Sequence, residues 1–101
     1  MGRWFEAANE IYTGVHEIPT SVTTPRILAT EWICRRVMIV AKAGDTVYAV
    51  PQGQPVGAGF PIPQIQADGN FTPLILEINN VNLVWVVGGT GGETIYWIAE
   101  R

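Results

Sequence analysis

The residues that could support nucleophilic catalysis are one thiol and one imidazole. Cys34 is the only cysteine of the 101-residue chain and His16 is the only histidine. A Cys–His pair could act as nucleophile and base, but Cys34 lies in an apolar stretch, where a thiol is usually buried and inert. His16 lies in a turn-prone, threonine-rich segment, which favours a solvated or hydrogen-bonded loop histidine over a catalytic base. The sequence therefore predicts no catalytic residue.

Metal and cofactor chemistry also lacks the residues that it needs. One cysteine and one histidine give two zinc ligands, where a structural site takes four. Asp45 and Asp68 are isolated in the sequence, whereas calcium needs clustered oxygen ligands. The glycine-rich residues 88–92 lack the Gly-Lys-Ser/Thr ending of a phosphate-binding loop, and they connect two predicted strands. We expect no metal, no cofactor and no enzymatic activity.

Composition and charge restrict the partners. The net charge is -3, and Arg35 and Arg36 are the only adjacent basic residues, so we expect no nucleic-acid partner. Charged residues make up 15% of the chain, against roughly 25% in soluble proteins. This shortage indicates a surface partly used for contacts. No stretch approaches the roughly 18–20 apolar residues of a membrane span, and we expect no membrane partner.

Apolar runs at about ten-residue spacing, rich in β-branched and aromatic residues, predict strands rather than helices. Five of the seven prolines lie in residues 51–73, which predicts a long surface excursion rather than a central strand. We predict one all-β domain spanning residues 11–101, preceded by a short N-terminal arm at residues 1–10. Its architecture is a single antiparallel β-sandwich, jelly-roll-like or Greek-key. The predicted strands include residues 33–41, 46–50, 74–78, 83–87 and 94–98, and a tight turn at residues 43–45 predicts that the second of them returns beside the first. We expect Phe60 and Ile62 to pin the proline-rich excursion and Glu77 to point outward. Two sets are expected to share one face each, the second of them inward: Ile33, Val37, Ile39 and Ala41, and Leu74, Leu76 and Ile78.

The two runs that end the chain lack a polar face. Residues 83–87 and 94–98 flank the glycine-rich loop, which predicts a β-hairpin. A strand with one solvated face should alternate apolar and polar side chains, but the first run does not. Both faces therefore need covering, which predicts contact with another protein chain. One face of the first run carries Leu83, Trp85 and Val87, and the other carries Val84 and Val86.

Several segments carry a resemblance to a known group. They are a Cys-basic-basic-Val-x-Ile-x-Ala strand, a Val-Tyr partner strand, a Gly-x-Pro-Ile turn and an Asn-Leu-x-x-aromatic-Val-x-Gly strand. Together with residues 74–78 and 95–98 they resemble small accessory virion proteins of tailed bacteriophages, over about residues 30–101. Such proteins usually carry polar residues where Met38 and Val40 stand, so these apolar replacements strengthen the case for a contact there. The segments are residues 34–41, 44–48, 59–62 and 82–88.

The resemblance implies a non-enzymatic β-sandwich that is assembled in the host cytoplasm and located in the virion. We expect a capsid decoration or cement protein that forms a small homo-oligomer, with a trimer favoured, and binds the major capsid protein. The alternative is a receptor- or carbohydrate-binding module of a fibre or tail, with Asn79, Asn80 and Asn82 supplying hydrogen bonds. The resemblance also favours Val84 and Val86 as the inward pair. The predicted interface residues are Trp4, Phe5, Met38, Val40, Leu83, Trp85 and Val87.

Overall fold

The computed structural model describes residues 10–50 and 59–101. In these residues it contains eight strands and one short 3-10 helix, and no α-helix. β-branched and aromatic residues dominate the longer strands, because their side chains pack well on a pleated surface. The elements are β1 (Ile11–Glu17), β2 (Arg26–Ile27), β3 (Arg36–Ala41), β4 (Val47–Val50), β5 (Phe60–Pro61), β6 (Leu74–Leu76), the 3-10 helix (Val81–Leu83), β7 (Trp85–Gly88) and β8 (Thr94–Glu100).

The strands form two antiparallel sheets of four strands each. The first sheet has the order β1-β8-β3-β6 and the second has the order β2-β7-β4-β5. Strands from the two halves of the chain pair in nested fashion: β1 with β8, β2 with β7, β3 with β6 and β4 with β5. This nesting is the strand order of an eight-stranded jelly roll. The predicted all-β antiparallel sandwich is confirmed.

The predicted C-terminal hairpin is wrong. β7 lies in the second sheet and β8 lies in the first, so the glycine-rich loop between them crosses from one sheet to the other. The turn at residues 43–45 likewise joins β3 to a strand of the opposite sheet rather than to a hairpin partner. Each apolar run instead takes its backbone partners from distant parts of the chain, and buries one face in the shared core. Glycines at positive φ, such as Gly44 and Gly91, suit a sharp crossing as well as a hairpin.

The core lies between the inner faces of the two sheets. From β3 it takes Val37, Ile39 and Ala41, as the alternation predicts, and from β7 it takes Val86. Val84 also lies in the core, which confirms that Val84 and Val86 form the inward pair. The remaining buried members of this cluster are Ile18, Leu28, Cys34, Val47, Ile62, Val81, Ile95, Trp97 and Ala99.

The segment around β6 follows its prediction, and two neighbouring predictions need correction. Leu74, Leu76 and Ile78 pack against the core, and Glu77 is exposed. Ile33, expected on the inner face of β3, is 59% exposed and lies before the strand begins. Of the two residues expected to pin the proline-rich excursion, Ile62 is buried, whereas Phe60 is exposed at the edge of the second sheet.

Candidate interaction surface

The outer face of the first sheet brings apolar side chains from all four of its strands together. The register places Val15, Tyr96 and Val40 side by side in one row across the sheet. Ile98, Met38 and Ile75 form the next row. Residues that pair between neighbouring strands point to the same face of the sheet. Successive residues on that face are two positions apart along each strand. We call this set the apolar face: Val15, Met38, Val40, Ile75, Tyr96 and Ile98.

Much of the apolar face is open to solvent. Val15 is 60% exposed and Ile75 is 51% exposed, Met38, Tyr96 and Ile98 are half-buried, and Val40, on a central strand, is buried at 6%. Phe71 and Pro73, which precede β6, extend the surface. They line a shallow cavity of about 310 Å³ with members of the apolar face. Exposed apolar side chains that adjoin one another on a sheet face mark a candidate site for another protein.

Polar rows border the apolar face at both ends of the strands. At one end Arg36 lies beside Glu100 and forms an ion pair with it. The Glu100 carboxylate raises the pKa of the Arg36 guanidinium above its ordinary value. At the other end Glu17 pairs with Thr94, and the Lys42 N–H donates to the Thr94 carbonyl. An apolar centre inside a charged border is the usual anatomy of a protein–protein interface.

The structure distributes the predicted interface residues over three surfaces. Met38 and Val40 belong to the apolar face. Trp85 and Val87 lie on the outer face of the second sheet, opposite Val50 and Tyr48 in the register. Leu83 lies in the 3-10 helix and is 51% exposed. Trp4 and Phe5, together with the N-terminal arm up to residue 9, lie outside the described residues.

The outer face of the second sheet is apolar but covered. Val50 is 4% exposed and Val87 is 1% exposed, although neither belongs to the main core cluster. Trp85 is half-buried, and its indole N–H is buried without a hydrogen-bond partner. Ile27, beside Trp85 in the register, is 37% exposed. This face therefore presents less free apolar surface than the first sheet does.

Leu83 lines a separate cleft between the edges of the two sheets. The cleft has a volume of about 420 Å³ and is lined by apolar side chains. Its walls come from both edge strands on this side of the sandwich, β5 and β6. The lining residues are Ala49, Val50, Phe60, Leu74, Leu76, Ile78, Leu83 and Val84.

The structure separates the thiol from the imidazole. His16 is level with Ala41, because both pair with Ile95 of β8. Cys34 comes seven positions before Ala41, a distance of roughly 20 Å along an extended chain. Cys34 is buried, its Sγ donates to the Ile78 carbonyl at 3.3 Å, and burial raises the pKa of its thiol. These two groups therefore form no nucleophile–base pair.

His16 lies on a strand and not, as predicted, in a loop. Its Nδ1 is 3.1 Å from the Leu28 carbonyl, which assigns the proton to Nδ1 in the neutral ring. Its Nε2 is buried without a partner. Burial, aided by the charge of Arg26, lowers the pKa of His16 against the opposing hydrogen bond to Leu28. Of the two predicted alternatives, a solvated or a hydrogen-bonded ring, the structure shows the hydrogen-bonded one, and the ring joins β1 to the segment that follows β2.

Glu93 is a residue that the sequence reasoning missed. Its carboxylate folds over Gly88, where a Cβ would lie 2.2 Å from Oε1, and its Oε2 accepts from the N–H and hydroxyl of Thr90. Burial acts to raise the pKa of Glu93, but the backbone N–H groups of Thr90, Glu93 and Gly89 and the Thr90 hydroxyl outweigh it, so the pKa is lowered. The sequence feature that could have predicted this contact is a glycine at position 88 followed, across a short loop, by the acidic residue at position 93. The arrangement closes the loop between the sheets.

The amide side chain of Asn80 is engaged within the fold. Its Oδ1 accepts from the backbone N–H groups of Trp32 and Asn82, which starts the 3-10 helix. Of the aromatic residues, Trp97 is buried, and Trp32 lies under the Arg101 guanidinium at 4.8 Å. Tyr12 packs against both indoles. These aromatic rings and Asn80 therefore serve internal packing.

Within residues 10–50 and 59–101, no group of three or more His, Cys, Asp or Glu side chains could hold a metal ion. The same residues include no helix that is long and apolar enough to cross a membrane. The sequence matches no protein-family model and no curated protein, and the structure matches no solved structure. The function is therefore inferred from the surface itself.

Proposed function

We propose that the chain is a non-enzymatic structural protein of a bacteriophage virion, a capsid decoration or cement protein that acts as a small homo-oligomer. The observation that carries this proposal is the apolar face of the first sheet, open to solvent and bordered by charged residues. Contiguous apolar surface is uncommon on isolated soluble domains unless it binds another molecule. A chain with few charged residues and a free apolar sheet face is suited to permanent assembly.

The fold supports a structural role by analogy. Jelly rolls of two four-stranded sheets are the architecture of viral capsid proteins, and also of lectin domains and cupins. One fold serves many functions, and among those of the jelly roll the virion role is the one that the segment resemblance also favours. The segment resemblance over about residues 30–101 points to the same class independently of the strand order.

The proposed mechanism is stabilisation by binding. Burying apolar surface releases about 25 cal/mol per Å², and the area on the apolar face is buried only once neighbouring subunits are in place. Binding to assembled shell subunits, and not to dissociated ones, stabilises the shell by mass action. The charged rows at Arg36–Glu100 and at Glu17 would set the orientation of the partner more than the affinity.

The alternative, a carbohydrate-binding module, has less support from the described residues. Sugar binding of the expected kind needs aromatic rings open for stacking beside free amide groups. Trp97 and Trp32 are packed within the fold, and the Asn80 side chain is used as a helix cap. The apolar face lacks side-chain amides, which favours a protein partner over a sugar.

The proposal is tested with empty heads assembled from the major capsid protein of the phage that encodes the chain. We expect the purified chain to bind these heads in a fixed ratio and to raise the temperature at which they disassemble. Ile75→Lys, on the exposed β6 side of the apolar face, should weaken binding at least about tenfold, which corresponds to 1.4 kcal/mol. The matched control is Ile65→Lys in the half-buried connection between β5 and β6. A chain that leaves the heads unaltered, and that is absent from purified virions, would contradict the proposal.

A further inference from the structure

The four edge strands of the two sheets differ in their protection. β2, β5 and β6 have two or three residues each. Pro61 lies within β5, and Pro25 and Pro73 stand directly before β2 and β6. Short length and proline both keep sheet edges from pairing with other chains. β1 is the exception, with seven residues, no proline, no lysine and an uninterrupted register that excludes a bulge.

Two hydrogen bonds establish which backbone groups of β1 face the open edge. The Arg101 N–H donates to the Glu10 carbonyl, and the Ile18 N–H donates to the Glu93 carbonyl, both at 2.8 Å. Bonded and non-bonded pairs alternate along an antiparallel ladder, and the register between β1 and β8 is uniform. The even-numbered residues therefore bond to β8. The odd-numbered residues point their N–H and C=O groups away from β8: Ile11, Thr13, Val15 and Glu17.

Four N–H groups and four C=O groups thus face an edge with which no described strand pairs. We propose that this edge pairs with the β1 edge of a second copy, antiparallel about a two-fold axis at Gly14. The two first sheets then join into one sheet of eight strands. The inference rests on the proposed homo-oligomer and names the surface through which it assembles.

A two-fold axis at Gly14 satisfies every free backbone group at once. Ile11 pairs with Glu17 of the partner subunit, and Thr13 pairs with Val15 of the partner subunit. Each such pair exchanges two hydrogen bonds, so the four pairs use all eight groups. Glu17 meets an isoleucine rather than another acid, so no like charges oppose each other across the junction. Gly14 meets its own copy in the close, non-bonded position.

The lengths of the edges favour self-pairing over a ring. A ring of three subunits needs a head-to-tail interface, in which β1 would pair with a different edge of its neighbour. The other edges offer two or three residues against the seven of β1. Two-fold pairing makes the dimer the unit of assembly, in place of the trimer that the resemblance favours. It also places the two apolar faces side by side as one surface, because Val15 is the member of each nearest the junction.

Hydrogen exchange of the backbone amides in the full chain tests the pairing directly. At concentrations where light scattering gives twice the 11.1 kDa mass, the amides of Ile11, Thr13, Val15 and Glu17 should exchange slowly. On dilution to monomer they should exchange at least about tenfold faster, since exchange then needs no opening of a ladder. The even-numbered amides of β1 should stay slow in both states, because they bond to β8.

A proline on the open edge provides the matching variant. Thr13→Pro removes an N–H that makes no bond to β8, and proline is tolerated at such positions. We expect Thr13→Pro to be monomeric while the matched control Thr13→Val remains dimeric. Thr13→Lys is the second edge variant, because an edge lysine opposes pairing without changing the backbone, and exposed Thr13 is not a member of the apolar face. It keeps the test decisive if the proline variant fails to fold.

Four results would overturn the pairing. They are a wild-type chain that stays monomeric at all concentrations, a trimer, a dimer that both edge variants leave intact, and odd-numbered amides that are slow even in the monomer. The last would mean that the edge is covered within the chain. If a monomer binds the phage heads, the proposed function stands and only the edge pairing is contradicted. If the chain forms the dimer but does not bind the heads, the pairing stands and the proposed function is contradicted.

Discussion

The outer faces of the two sheets carry similar side chains but differ in exposure. On the first sheet Val15 and Ile75 are more than half exposed, whereas on the second sheet Val50 and Val87 are almost fully buried. Both sets follow from the same alternation along strands. Composition and the two-residue alternation along a strand therefore identify the apolar residues that point outward. They do not tell which of these residues stay exposed to solvent. Exposure is decided by the tertiary arrangement around each face.

This difference in exposure separates the predicted contact residues on the first sheet from those on the covered second sheet. Met38 and Val40 lie on the same sheet face as four residues that the prediction did not include. Met38 is half-buried there, whereas Val40 is 6% exposed and adds little to the open surface. Trp85 lies on the covered side and is half-buried, so its role in a contact stays a prediction. An oligomer built through the apolar face or its edge does not require Trp85.

The largest expected effect comes from placing one charge on each outer face. Val87→Lys buries an unpaired ammonium, and we expect a loss of about 3–5 kcal/mol, a large part of the roughly 5–15 kcal/mol typical of a domain. Ile75→Lys should change the free energy of unfolding by less than about 0.5 kcal/mol, as surface substitutions usually do. Urea denaturation of the two variants at equal, low concentration measures both values.

The comparison between the faces would fail if the two lysine variants were equally stable. Equal and small losses would mean that the second outer face is as open as the first. Equal and large losses would mean that the apolar face is covered in solution. Ile75→Thr and Val87→Thr, which introduce no charge, show whether the difference comes from the ammonium group or from lost packing.

The next largest effect concerns the inner side of the first sheet. A Cβ at Gly14 would lie 2.5 Å from the Trp97 indole, so β1 lies flat only because this residue is glycine. We expect Gly14→Ala to cost about 1–3 kcal/mol through overpacking, a drop of about 4–8 °C in Tm for each kcal/mol. Gly89→Ala, with no atom within 4 Å of the added carbon, is the control and should be near neutral. Calorimetry compares them, and an unchanged Tm for Gly14→Ala would contradict the packing.

The sequence was sufficient for the strand faces and insufficient for the strand partners. The inward sides of β3 and β6, and the inward pair Val84 and Val86, follow from a period of two and from the need for one buried core. The pairing of β7 and β8 could not be predicted in the same way, because a short glycine-rich loop is equally compatible with a hairpin and with a crossing between sheets. Backbone partners as far apart as Val50 and Trp85, or Ile11 and Glu100, leave no local signal.

The candidate surface was predictable only in part for a related reason. Met38 and Val40 were identified because they are apolar where the proteins that the chain resembles usually carry polar residues. Val15, Tyr96 and Ile98 share their surface through the register with β1 and β8, which no local pattern contains. The free edge of β1 depends on the parity of its hydrogen bonds with β8, and this parity becomes known only with the register.

The smallest expected effect tests how the two sheets are joined, through the pH dependence of stability. The lowered pKa of His16 means that the unfolded chain binds its proton more readily than the folded chain. Stability is therefore unaffected well above the ordinary value of 6.5 and falls as the pH drops below it, because protonation places a second N–H at the buried, unpartnered Nε2. The pKa of Glu93, whose ordinary value is 4.5, is also lowered, so its contribution to stability is lost only at more acid pH.

Urea denaturation between pH 7.5 and about 5 should show the decline in wild type and a flatter profile in His16→Gln. A decline of the same size in His16→Gln would show that the bond from His16 to Leu28 does not set this dependence.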